Sequence, residues 1–228
     1  MYSLIAIITM SVFSANAAEE FTITPKVNLE SGYVTKVTYL GLENQKNSAY
    51  IAGSISLENK IATPTVGVTY FLRGENADQT VLDGSLSKSI GNDVIGLTLT
   101  GGIQKRIVQT ADDNLLGYGT VKLDKLWVIT KIATPYVSVG KDFDQDLFGV
   151  TVGLDRTFSI KSVDFTPRAE MYIYDNYKSY RFGGSLVYTG IKYVRPFVDA
   201  GYVTNEDSVL ARRIDGEGIV SAGLRLPF

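Results

Sequence analysis

From Phe21 onward the apolar residues of this chain fall on every second position. Phe21, Ile23, Val27, Leu29, Tyr33, Val37 and Tyr39 share one parity, while Thr22, Thr24, Lys26, Asn28, Glu30, Lys36 and Thr38 occupy the other. Side chains alternate across a strand, so this period predicts a long β-strand with one apolar and one polar face. The pattern returns at Val66, Val68, Tyr70 and Leu72, at Ile95, Leu97, Leu99 and Ile103, and at Phe148, Val150, Val152 and Leu154. Each set faces a parity of Thr, Gly or charged residues. No helical period is sustained beyond the first 17 residues.

Five of the six prolines share one setting: Thr24-Pro25, Thr63-Pro64, Thr134-Pro135, Thr166-Pro167 and Arg195-Pro196, each followed by an alternating stretch. Proline cannot donate to a ladder and is tolerated at the first residues of a strand, so each predicts a strand opening after a turn. The intervals are 39, 71, 32 and 29 residues, and a start near Val94, after Gly91-Asn92-Asp93, divides the long one. This is a weak repeat of a hairpin unit. It predicts strands at 25–39, 64–73, 94–104, 133–141, 164–174 and 194–203, returning at 48–57, 81–90, 116–125, 148–158, 180–188 and 217–228. Twelve strands follow, with ten or eight as the alternative because 116–125 and 133–141 carry the weakest patterns.

Polar stretches at Leu42–Asn47, Gly74–Thr80, Lys105–Asn114, Asp142–Asp146, Asp175–Ser179 and Thr204–Asp215 fall between the strands on one side. Connections at Glu58–Thr63, Gly91–Asp93, Ser159–Ser162 and Thr189–Lys192 on the other side are shorter. Long loops at one end and short turns at the other are the asymmetry of an antiparallel transmembrane β-barrel. Each strand is near the length needed to cross a bilayer at a tilt. The chain opens with an uncharged stretch, apolar over Leu4–Phe13 and followed by Ala15-Asn16-Ala17. That reads as a secretory signal peptide over residues 1–17, ahead of a barrel domain at 18–228.

The last segment, Gly218-Ile219-Val220-Ser221-Ala222-Gly223-Leu224-Arg225-Leu226-Pro227-Phe228, is apolar at every second residue and ends on an aromatic. It resembles the C-terminal signature strand of Gram-negative outer-membrane β-barrel proteins, with Pro227 as a departure. Ser31–Gly41 followed by Ala49–Leu57 resembles the first hairpin of small porin-like proteins, in which an arginine usually stands near the position of Leu40. The resemblance implies insertion by the barrel assembly machinery and outer-membrane lipid against the apolar face. It also implies passive passage of small hydrophilic solutes or ions, and it leaves the oligomeric state open.

Composition removes other classes. The 228 residues hold 22 Lys+Arg against 24 Asp+Glu, with no Cys and no His. That excludes a disulfide framework, a zinc finger and a histidine-activated nucleophile, which outer-membrane hydrolases generally use. A near-neutral balance argues against nucleic-acid binding. Asp112/Asp113 and Asp142/Asp144/Asp146 lack the ordered spacing of a calcium loop. No catalytic residue, metal or cofactor is expected.

On this register the pore-lining candidates are Lys26, Glu30, Arg73, Arg168, Glu170, Arg181, Arg195 and Asp199. The same parity holds Lys36, Asp83, Lys122, Asp124, Asp155 and Arg225. Arg168, Arg181 and Arg195 fall on consecutive strands and are expected to form a basic ladder facing Glu170 and Asp199. That ladder is either a constriction attracting anionic solutes or a salt-bridged plug. Aromatics near strand ends, namely Tyr39, Tyr70, Phe71, Trp127, Phe148, Tyr172, Tyr188, Tyr193 and Tyr202, are candidates for interfacial girdles. Two other functions fit the same pattern. One is a non-conducting barrel whose loops at Lys105–Asn114 and Thr204–Asp215 contact a partner; the other is a secreted soluble β-protein.

Overall fold

The computed structural model describes residues 23–39, 42–72, 78–92, 94–108, 113–126, 132–174, 177–205 and 216–228. Among them there is no helix. The strands are β1 Thr24–Tyr39, β2 Leu42–Glu58, β3 Thr63–Leu72, β4 Gln79–Gly91, β5 Ile95–Val108, β6 Asn114–Leu126 and β7 Thr134–Asp142. They continue with β8 Leu147–Asp155, β9 Phe158–Ile160, β10 Val163–Tyr174, β11 Tyr177–Tyr188, β12 Arg195–Asn205 and β13 Glu217–Pro227. All ladders are antiparallel. The sheet closes because β13 pairs with β1 as well as β12, and β10 pairs with both β8 and β11.

The short β9 is not a separate wall element. Arg168 pairs with Asp155 of β8, and Phe165 pairs with Phe158 of β9, so both obey one register along β10. Only Arg156 and Thr157, opposite Pro167 and Thr166, leave the ladder. Pro167 has no N–H to give there, which accounts for the gap. Counting β8 and β9 as one staff, the barrel has twelve. Pro167, the fourth residue of the expected strand 164–174, is the fifth residue of β10. Pro25, Pro64, Pro135 and Pro196 are each the second residue of their strand.

Two of the connections expected to be long are short, while Gly74–Thr80, Lys105–Asn114 and Thr204–Asp215 fall in part or largely outside the described residues. Leu42–Asn47 belongs to β2, and β10 and β11 are separated only by residues 175 and 176. The polar runs there are strand ends projecting past the apolar band, which sequence reads as loops. At the opposite end asparagines shape the turns. The Asn59 carboxamide oxygen accepts the Ile61 and Ala62 amides at 2.7 and 2.9 Å, and that of Asn92 accepts Val94 and Ile95 at 2.9 and 3.0 Å. Gly91, at φ 149°, leads into the second turn in a conformation side chains resist.

The seam is completed by the terminal residue. Val27 donates to the Phe228 carbonyl at 3.0 Å, and Phe228 donates back at 2.8 Å. That makes Asn28 and Pro227 a non-hydrogen-bonded pair, so the missing Pro227 donor faces β12 instead. β12 begins at Arg195, opposite Arg225, and has no residue at the level of Pro227. The proline therefore costs no ladder bond.

The two faces separate cleanly. Val66 (68 % exposed), Val68, Leu82, Leu86, Leu99, Ile103, Val137, Val152, Phe182 and Leu224 stand on the outside, among the exposed apolar side chains of one parity. The other parity holds Ser, Thr, Gly and most of the charged residues, together with buried apolar side chains such as Val34, Phe71, Phe197 and Val203. Its side chains meet across an intervening strand, as those on a concave face do: Lys122 of β6 reaches Asp155 of β8 over β7 at 2.9 and 3.0 Å. Of the aromatics expected at the interfaces, Phe148, Tyr188, Tyr193 and Tyr202 are exposed on the outside. Phe71 and Tyr172 have the opposite parity and project inward, Phe71 buried against Tyr50. Trp127 and the Tyr39 side chain lie outside the described residues.

Candidate functional site: the inner wall

The inner wall carries charge on β4 to β8 as well, at Asp83, Lys122 and Asp155, but its densest charged sector and a continuous row of hydroxyls can be told apart. The charged sector runs over β10, β11, β12, β13 and β1. Arg181 lies opposite Glu170 in register, and its guanidinium sits 3.8 Å from Glu170 Oε2 and 3.1 Å from Asp199 Oδ1. Tyr172 donates to Glu170 at 2.8 Å, and Tyr136 donates to its other oxygen. Glu170 thus gathers two phenols and an arginine from β7, β10 and β11.

A second cluster spans the seam. Arg225 Nε donates to Glu30 at 2.6 Å, and Tyr50 donates to the other oxygen at 2.6 Å. The Arg225 guanidinium stacks 4.3 Å from the Phe197 ring centre, a cation–π contact. Phe197, Val34, Tyr50 and Phe71 form a buried apolar patch inside the barrel. Periodicity does not predict that patch, because these residues carry the polar parity.

The candidates named from sequence are therefore distributed as follows. Glu170, Arg181 and Asp199 form one network. Glu30 is in the seam cluster, with Arg195 the register partner of Arg225. Lys26 pairs with Glu58 at 2.7 Å. Arg168 stands opposite Asp155 on one side and Gly183 on the other. Arg73 lies outside the described residues. Arg168, Arg181 and Arg195 do occupy neighbouring staves, but in register Arg181 faces Glu170, Arg168 faces Gly183 and Arg195 faces Arg225. One faces a carboxylate, one a glycine and one a second arginine, so they do not stack as a ladder.

Sequence reading missed a recurring device. Three inward tyrosines lie opposite inward glycines and fold over them toward a carboxylate. Tyr118 faces Gly102 and reaches Asp83 at 3.0 Å, one strand further on. Tyr136 faces Gly153 and reaches Glu170; Tyr50 faces Gly32 and reaches Glu30. The glycine is required by space. A Cβ on Gly102 would stand 2.6 Å from the Tyr118 ring and hydroxyl. Gly102→Ala is expected to cost about 1 kcal/mol, the overpacking outweighing the backbone entropy saved, as measured by urea unfolding in vesicles. The signal for this device is a Tyr and a Gly at matching positions of adjacent strands, visible only once the register is known.

The loop-end carboxylates are engaged in shaping a turn. Asp142, almost fully buried, accepts the Asp144 and Gln145 amides at 3.0 Å each and an Asn114 N–H at 3.1 Å. Asp144 accepts the Leu115 amide at 2.6 Å. Asp146 pairs with Lys141, and that hydrogen bond and charge hold its carboxyl below the usual carboxylate range.

No protein-family model and no curated protein matches this chain in sequence. Solved structures match it in shape. It is similar to a KdgM porin, with a TM-score of 0.58 at 12 % identity, covering 88 % of this chain and 99 % of that one. A KdgM porin in complex with disordered oligogalacturonate gives a TM-score of 0.57 at 12 % identity, over 89 % and 99 %. The NanC porin gives 0.54 at 12 % identity, over 88 % and 98 %. The likeness spans nearly the whole of each neighbour. The chain has the closed antiparallel fold of the outer-membrane porins.

Proposed function

We propose that the protein is a porin-like channel through which small hydrophilic solutes or ions diffuse passively, with no chemical turnover. The observation that carries this reading is the inner wall: charged, hydroxyl-bearing and glycine residues line a closed barrel whose outside is apolar. Hydrocarbon demands that outside, and an aqueous lumen accounts for the inside. The oligogalacturonate bound by the KdgM porin is a polyanion, but several of the inward cations here are compensated. Arg181, Arg225, Lys26 and Lys122 each have a carboxylate at ion-pair distance. A wall of mixed, paired charge supports weak ion selectivity.

The reading includes export on residues 1–17, which lie outside the described residues, and delivery to the outer membrane through the barrel assembly machinery. The test is single-channel recording of the refolded protein in a planar bilayer. Stepwise openings with a small reversal potential in a salt gradient are expected. Silence from protein shown to be folded and inserted overturns the channel and moves the function to the loops.

A further inference from the structure

Among the inward charges runs one continuous row of hydroxyls. Following register partners from strand to strand, Ser87 pairs with Thr100, Thr100 with Thr120, and Thr120 with Ser138. Ser138 then pairs with Thr151, and Thr151 with Tyr172. Each of these side chains ends in a hydroxyl, and none is charged. The row extends to Thr63, the first residue of β3, and at the far end to Ser179, the third residue of β11.

Geometry gives the row a direction. Partners lie perpendicular to the strands, and barrel strands tilt by about 35–45° from the axis, so such a row climbs the wall as a spiral. Thr63 adjoins the turn between β2 and β3; Ser179 adjoins the β10–β11 connection, at the opposite mouth. The hydroxyls therefore run from one opening to the other without interruption.

Their hydrogen-bonding capacity is not used up. Ser87 and Thr100 are 2.8 Å apart; Thr120 donates to Ser138 at 2.8 Å and Ser138 to the Gly119 carbonyl at 3.3 Å, while Tyr172 donates to Glu170, so Thr120, Ser138 and Tyr172 keep acceptor lone pairs only. A hydroxyl offers one donor and two lone pairs, so each such pair keeps capacity toward the lumen. All but Ser179 are partly exposed. Ser179 is 0 % exposed, and its hydroxyl has no hydrogen-bond partner among the described residues. An aromatic ring flanks the row on either side: Tyr118 lies over Gly102 and Tyr136 over Gly153.

We infer that this row is the path of an uncharged polyhydroxylated solute, a neutral oligosaccharide that exchanges its water for successive wall hydroxyls. The chemistry fits on three counts. The wall hydroxyls replace water chiefly as acceptors of the solute's own O–H groups. The tyrosine rings offer apolar faces to sugar C–H groups. The bonds are individually weak and repeated, as conduction requires. A polyanion would instead follow the charged sector.

The inference rests on the channel reading, and the experiment separates the two. Maltohexaose and trigalacturonate are added to single channels of the refolded protein, and of Thr100→Val/Thr120→Val/Ser138→Ala. Folding of each is checked by heat-shifted gel mobility. Expected are resolved blocks by maltohexaose, and roughly tenfold weaker blocking in the triple variant, since three hydrogen bonds are removed at nearly constant shape. Salt conductance without maltohexaose block, block unchanged in the variant, or stronger block by trigalacturonate overturns the hydroxyl path and leaves the channel standing. Absence of salt conductance overturns the channel itself, and the path with it. If the triple variant fails to fold, Thr120→Val alone is used, with about a twofold to threefold weakening expected and an unchanged block counting against the path.

Discussion

Val68→Arg is expected to lower folding stability by about 2–4 kcal/mol, the cost of a guanidinium facing lipid near mid-bilayer. Thr69→Arg, one residue further along β3, is expected to cost well under half of that. Val68 is exposed on the apolar face, near the middle of β3. Thr69 has the inward parity, between Ala52 and Val81 in register, where a long side chain extends into the lumen. Urea titration of both variants refolded into thin-bilayer vesicles measures the difference. Equal costs would mean that neither face is selectively in lipid. A larger cost at Thr69 would mean an apolar interior, as in a soluble sandwich.

Arg181→Met is the second large effect, about 2–3 kcal/mol. Arg181, Glu170 and Asp199 are 19 %, 10 % and 19 % exposed at the side chain, so removing the cation strands two largely desolvated carboxylates. Breaking a fully buried pair costs about 3–5 kcal/mol, and lumen water moderates that here. The two carboxylates are not equally dependent. Glu170 keeps the phenols of Tyr136 and Tyr172, while the described contact to Asp199 is the guanidinium itself. Adding Asp199→Asn to Arg181→Met is therefore expected to restore more stability than adding Glu170→Gln. A double-mutant cycle by urea unfolding decides it. Equal recovery would show that the phenols do not support Glu170. The same single variant is expected to shift the reversal potential toward cation preference.

Much of the architecture can be read locally. Strand positions follow from a two-residue period and from proline, both properties of neighbouring residues. The predicted 64–73, 116–125 and 217–228 each fall close to the observed Thr63–Leu72, Asn114–Leu126 and Glu217–Pro227. The parity of Lys26, Glu30, Arg168, Glu170, Arg181, Arg195 and Asp199 followed from the same period. What escaped was everything set by register between strands. The Tyr–Gly–carboxylate bridges, the alternation of Arg181 with Glu170 and the spiral of hydroxyls depend on which residue faces which. That in turn depends on turn lengths and on the register shifts of the β5–β6 and β1–β2 ladders, at Gly96/Leu97 and Val37/Thr38. The gap in the ladder opposite Pro167 is hidden for a related reason. A proline inside a strand is tolerated where its neighbour leaves the ladder, and that neighbour is ten or more residues away in sequence.

The seam between β1 and β13 differs in kind from every other ladder. Elsewhere each stave meets the next one along the chain, so pairing can proceed hairpin by hairpin over short loops. The Glu30–Arg225 contact joins residues 195 apart. Closing it carries the largest loop entropy in the molecule, and it is the slowest pairing to reach by search. Until it forms, the chain is an open curled sheet with two long bare edges, each a template for another copy. The paired carboxylate, guanidinium and phenol at that seam, and the two backbone bonds of Phe228, act together as a latch. Closing that latch removes both bare edges at once, leaving no unpaired strand among the described residues as a template.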